Sequence, residues 1–132
     1  MKLIIGGAFQ GKLAYARETF KAEDGWVDGR VCEASEICSC TGISHFHEYI
    51  RNHLAIPDDP VDMERIAGEF VDRILSENPG ILIVSNELGY GVVPVDHSDR
   101  MYREMVGRIC TCTAGKADEV VRVVCGIGMR LM

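Results

Sequence analysis

The sequence has 132 residues, of which 47% are hydrophobic and 26% charged, and its net charge is −6. This length predicts one domain over residues 1–132, and the acidic balance argues against binding to nucleic acid or to anionic membranes through a basic face. No apolar run approaches the roughly 20 residues that cross a bilayer, and no signal peptide precedes the first apolar run, so we expect a cytoplasmic protein without a membrane span.

The first predicted element is a short buried strand over residues 2–6, followed by a glycine-rich turn and a helix over about residues 11–20. The turn matches the phosphate-binding pattern G-x-x-x-x-G-K-[ST] up to its last position, where Leu13 replaces the hydroxyl residue that holds Mg²⁺. Backbone N–H groups in such a turn cradle phosphate oxygens, and the lysine adds a positive charge. A tight turn without a ligand is the alternative. The predicted nucleotide site consists of Gly6, Gly7, Ala8, Phe9, Gln10, Gly11, Lys12 and Leu13.

The middle of the chain is less regular. It predicts short strands at residues 26–27 and 41–44, a helical turn at 33–38 and a helix that runs to about residue 54. His45 and His47 stand where the second of these strands meets the helix. Two neutral imidazoles at a strand end can bind metal or phosphate, or transfer a proton, whereas the alternative is a packed or surface pair. Their side chains share a face if the segment is extended and diverge if it is helical.

The second half of the chain has clearer periodicity. An apolar stripe at helical spacing predicts a helix over residues 63–75, with Asp62 or a neighbour as its cap. A buried strand over residues 81–84, a helix from about 96 to 114 and a strand over 119–124 follow. After a turn at residues 126–128, residues 129–132 are a candidate edge strand, through which a second copy of the chain could pair.

Strands that alternate with helices predict a three-layer α/β/α fold around a mainly parallel sheet. Ligands of such folds bind at the carboxyl ends of the strands. Asn86 and Glu87 follow the strand at residues 81–84, so we expect them at the same edge as the glycine turn and the two histidines. Glu87, facing the turn, is a candidate ligand of Mg²⁺-bound water or a general base, and Asn86 would orient the loop or the substrate. The alternative for Glu87 is a structural hydrogen bond.

Six cysteines raise the alternative of a metal protein based on thiols or histidines. The pairs Cys38/Cys40 and Cys110/Cys112 could in principle supply four thiolates to zinc. However, the usual spacing is C-x₂₋₄-C, and residues two apart on a helix point in different directions. We therefore interpret the cysteines as small buried or half-buried thiols, and we predict no metal ligands among them.

Several strings in the second half resemble a known family. They are Asn86-Glu87-Leu88-Gly89-Tyr90-Gly91-Val92-Val93-Pro94, then Gly107-Arg108, Ala117-Asp118-Glu119-Val120 and Cys125-Gly126-Ile127-Gly128. With the glycine turn, they resemble the bifunctional adenosylcobinamide kinase / adenosylcobinamide-phosphate guanylyltransferase family of cobalamin biosynthesis. The likeness covers about residues 1–20 and 61–132, and it implies a P-loop NTPase-like fold.

The resemblance implies a phosphotransferase that uses ATP or GTP with Mg²⁺ and phosphorylates adenosylcobinamide or a related small hydroxyl substrate. The predicted catalytic residues are Lys12, Glu87, His45 and His47, and for Glu87 and the two histidines this rests on their positions at strand ends rather than on the resemblance. The chain departs from the family at Leu13 and in a shorter segment before the middle strand. That segment normally carries the histidine that accepts the guanylyl group, and neither His45 nor His47 can be matched to it. The resemblance therefore implies phosphoryl transfer more than guanylyl transfer, and a non-catalytic nucleotide- or phosphate-binding module is the alternative.

Overall fold

The computed structural model describes residues 1–88 and 95–132. Within these residues six strands form one sheet in the order β2-β3-β4-β1-β5-β6. All neighbouring strands are parallel except β6, which is antiparallel to β5. The strands are β1 (Lys2–Gly6), β2 (Trp26–Asp28), β3 (Gly42–Ser44), β4 (Leu82–Asn86), β5 (Glu119–Val124) and β6 (Ile127–Arg130).

The described helices are α1 (Lys12–Thr19), α2 (Phe46–His53), α3 (Pro60–Glu77) and α4 (His97–Lys116), and a short 3₁₀ helix spans Ala34–Cys38. They pack on both faces of the sheet, which confirms the predicted three-layer α/β arrangement. Leu3 of β1 lies in a large core cluster with α2, α3 and α4, while its neighbour Ile4 lies in a smaller cluster with Ala16 of α1. Successive residues of a buried strand face opposite sides, so an unbroken apolar strand fits this position.

Several element ends differ from the predicted ones. The cap of α3 is Asp59, which accepts a hydrogen bond from the Val61 backbone N–H at 2.8 Å, and Pro60 occupies the first helical position, where no N–H is needed. The hairpin turn is Cys125-Gly126, both with positive φ, and β6 therefore starts at Ile127.

The strand predicted over residues 81–84 becomes β4 and extends to Asn86, because Gly6 and Asn86 are paired across β1 and β4. The loop predicted at Gly89-Tyr90-Gly91, and most of the motif that begins at Asn86, lie outside the described residues. None of the helices described is long and apolar enough to cross a membrane.

Candidate functional site

A cavity of about 400 Å³ lies at the carboxyl edge of the sheet, beside the glycine turn. Residues 8–14 form one wall. The rest of the lining consists of residues at the ends of β3 and β4 and in the segment after β2: Arg30, Ser44, His45, Val84 and Asn86. The parallel sheet therefore brings the predicted turn, His45 and Asn86 to one cavity.

The glycine turn is tied to the β5–β6 hairpin and is open towards the cavity. The backbone N–H of Cys125 donates to Gln10 Oε1 at 2.7 Å, and that of Gly126 donates to the Gln10 carbonyl at 2.8 Å. Gly11 has φ 82°, a left-handed conformation that favours glycine. Phe9 is fully exposed and does not fill the cavity.

Backbone donors line the entrance to α1. Within the described residues, the N–H groups of Gly11, Lys12 and Leu13 have no hydrogen-bond acceptor, and the helix lacks a side-chain cap. The first turn of a helix has no intrahelical acceptors for these groups, and its dipole favours negative charge. This arrangement can bind an anion such as a phosphate group.

Lys12 adds a buried amine to the same turn. Its side chain is 8% exposed, and Nζ donates to the Gly7 carbonyl at 2.7 Å. Burial lowers the pKa of Lys12, and the nearby charge of Glu87 raises it in part. A phosphate bound in the cavity would place negative charge beside the Lys12 amine, which here donates to the neutral Gly7 carbonyl.

The two histidines have different environments. His45 adopts the left-handed conformation with φ 52° immediately before α2, and its ring lines the cavity, with Nδ1 3.5 Å from Asp28 Oδ1. His47 is buried, and its Nδ1 accepts a hydrogen bond from the Asn86 backbone N–H at 3.3 Å. Burial lowers the pKa of His47, which favours the neutral ring. The structure therefore brings only His45 of the pair to the cavity wall.

Glu87 points to the other face of the sheet. Its carboxylate accepts from Arg122 Nε at 2.9 Å and Nη2 at 3.4 Å, and it lines a second cavity of about 570 Å³ beside α4. Asn86 lines both cavities. Glu87 is thus near enough to influence Lys12 but is engaged by an arginine that the sequence analysis did not single out. The only sequence signal for Arg122 is a charge between the valines of β5.

Asp28, the last residue of β2, and Arg30, which follows it, were not among the predicted site residues. Asp28 accepts from Arg30 Nε at 3.1 Å and Nη2 at 2.7 Å, and these hydrogen bonds lower the pKa of Asp28. The sequence indicated only a turn at this position. The location of Asp28 and Arg30 at the carboxyl end of a predicted strand was the sequence signal that could have identified them.

The cysteines do not converge on a metal. Within residues 1–88 and 95–132, no three His, Cys, Asp or Glu side chains are grouped so as to hold a metal ion. All six thiols are free. Cys38 Sγ lies 2.7 Å from Glu77 Oε2, whereas Cys110 belongs to α4, where burial raises its pKa to about 11.

Comparison with known proteins gives a consistent picture. Residues 36–131 match the family described as cobinamide kinase / cobinamide phosphate guanyltransferase. The bifunctional adenosylcobalamin biosynthesis protein CobU of Salmonella typhimurium is 41% identical over 51 residues, which are 39% of this chain and 28% of that protein. Its Escherichia coli counterpart is 39% identical over 51 residues, with the same coverage. The corresponding CobP of Pseudomonas aeruginosa is 38% identical over 82 residues, 60% of this chain and 46% of that protein. The chain thus spans less than half the length of these curated relatives.

Proposed function

Because this chain belongs to the cobinamide kinase / cobinamide phosphate guanyltransferase family of cobalamin biosynthesis, we propose that it binds ATP or GTP at the glycine turn. We further propose that it transfers the terminal phosphoryl group to adenosylcobinamide or a related small hydroxyl substrate. The observation that carries the proposal is the open cavity of about 400 Å³, which brings together the buried Lys12 amine and backbone N–H groups that have no acceptor among residues 1–88 and 95–132.

In this proposal the protein acts by positioning and by neutralising charge, as phosphoryl transfer requires. The N–H groups of Gly11, Lys12 and Leu13 donate to phosphate oxygens. The Lys12 amine leaves the Gly7 carbonyl and pairs with the outer phosphates. His45 lines the same cavity, where its ring can accept the proton of the attacking hydroxyl group.

The residues do not fit a protein-held Mg²⁺ ion at the turn. Leu13, at the position where the phosphate-binding pattern has a hydroxyl residue, has no side-chain oxygen to offer as a ligand. If Mg²⁺ takes part, it would be brought by the nucleotide and would supply neutralisation of phosphate charge. His47 is buried against the Asn86 backbone, which disfavours a role as the residue that accepts a guanylyl group.

Nucleotide titration tests the binding step. We expect calorimetry with ATP and GTP, each with Mg²⁺, to detect binding to the wild-type chain. Lys12→Ala should weaken it at least about tenfold because a charge-assisted contact is lost. Lys21→Ala removes an exposed lysine beyond the far end of α1 and should have no effect. Absence of triphosphate binding by the folded wild-type chain would refute the proposal. Transfer of the labelled terminal phosphate to adenosylcobinamide tests the second step.

A second candidate function is a nucleotide- or phosphate-binding module without catalysis. Leu13, which lines the cavity in place of a hydroxyl residue, favours it. This function predicts binding without turnover in the wild-type chain. Leu13→Ser should then create hydrolysis or transfer if the remaining machinery is intact, while Leu13→Ala, which removes bulk but adds no oxygen, should not. Turnover by the wild-type chain would exclude this candidate.

A further inference from the structure

An arginine outside the glycine turn also lines the cavity. Arg30 follows β2 and lines the same cavity as Lys12. Its side chain is 58% exposed, so it can meet a ligand that enters from solvent. Lys12 and Arg30 are the lysine and arginine side chains on the described cavity wall. Lys12 belongs to the segment after β1 and Arg30 to the segment after β2, and β3 and β4 lie between these two strands in the sheet.

The backbone around Arg30 is held in place by several contacts. The Arg30 N–H donates to Asp28 Oδ1 at 2.9 Å, and the Gly29 N–H donates to the Ser44 carbonyl at 2.8 Å. Asn52 Nδ2 donates to the Arg30 carbonyl at 3.1 Å. A β-carbon on Gly29 would lie 2.3 Å from the His45 carbonyl oxygen, so this approach of the two segments requires glycine.

Asp28 orients the Arg30 guanidinium but does not use all of its N–H donors. Asp28 engages Nε and Nη2 of Arg30. A guanidinium has five N–H donors in a fixed plane, so this fork leaves Nη1 and one Nη2 hydrogen available. A planar donor set of this kind matches phosphate oxygens.

The glycine turn by itself offers too little positive charge for the phosphate chain of a nucleotide. A nucleoside triphosphate brings several negative charges, while the turn offers one lysine and, at Leu13, no metal ligand. We propose that Arg30 is a second ligand for the phosphate chain of a bound nucleoside triphosphate, reaching it from the β2 side of the cavity. This inference rests on the proposed function, since it assumes that the triphosphate occupies this cavity.

The test separates phosphate contacts from other effects. Calorimetry measures the affinity of the wild-type chain, Arg30→Ala and Arg30→Lys for ATP, GTP and the two nucleosides without phosphates. We expect Arg30→Ala to weaken triphosphate binding about tenfold and nucleoside binding not at all, with Arg30→Lys recovering part of the loss. The control is Arg65→Ala, which removes an arginine of similar exposure on α3, away from the cavity.

The outcomes distinguish this inference from the proposed function. If Lys12→Ala weakens triphosphate binding but Arg30→Ala does not, Arg30 is not a phosphate ligand and the proposed function is unaffected. If Arg30→Ala weakens binding of triphosphate and nucleoside equally, the arginine only shapes the turn, and the inference is overturned. If the folded wild-type chain binds no triphosphate, the proposed function itself fails. Thermal melting of each variant confirms that it is folded.

Discussion

Truncation of Phe46 should reduce stability more than most single substitutions in this chain. Phe46 is the first residue of α2, between His45 and His47, and its side chain is 0% exposed. Its ring centroid lies 6.3 Å from that of Tyr49 and 6.0 Å from that of Phe70. Truncating a buried phenylalanine costs about 3–5 kcal/mol, from the lost transfer free energy and the cavity left behind. For a chain of this length we expect Phe46→Ala to lower Tm by about 11–18 °C.

Phe9→Ala is the matched control because it removes the same atoms from a different environment. Phe9 is 104% exposed in the glycine turn, so the free energy of unfolding should change by less than about 0.5 kcal/mol. The positive φ of 59° is a property of the position and stays with alanine. Urea unfolding followed by far-ultraviolet circular dichroism measures both variants.

Two results would refute this reasoning. A loss below about 1 kcal/mol in Phe46→Ala would place the ring outside the core, because full burial carries a larger cost. A large loss in Phe9→Ala would mean that this ring packs in the turn. The cavity would then be closed, and the argument for an anion site would lose its basis.

Two further predictions concern His47 and the start of α3. Burial lowers the pKa of His47, so the unfolded chain takes up a proton first, and stability should be lost as pH falls from about 6.5 towards the folded value. His47→Asn retains an acceptor for the Asn86 N–H and should flatten this dependence of Tm on pH; parallel curves would contradict the argument. Asp59→Ala should cost about 1 kcal/mol in urea unfolding because the helix cap is lost. Asp62→Ala removes only an exposed ion pair and should cost less, and the reverse order would contradict the assigned cap.

Local sequence pattern was sufficient to predict the main strands and helices and the glycine turn. Alternating apolar stretches and glycine positions specify backbone conformation over a few residues, so β1, the glycine turn, α3 and β5 could be predicted from sequence. Element ends were less predictable because they depend on partners. β4 reaches Asn86 through its pairing with Gly6, and Asp59 caps α3 where Pro60 starts it.

The sequence by itself determined that strands would deliver polar residues to one edge of a parallel sheet. Only the tertiary structure decided which of them face the cavity, because strand order and register set the direction of each side chain. Pairing of β1 with β5 places Ile5 beside Arg122, and Arg122 then engages Glu87 on the face opposite α1. The start of α2 likewise separates the two histidines: His45 precedes the helix and lines the cavity, whereas His47 lies within the helix and is buried. The segment after β2 brings Arg30 to the cavity, a contact between residues far apart in sequence that no local pattern encodes.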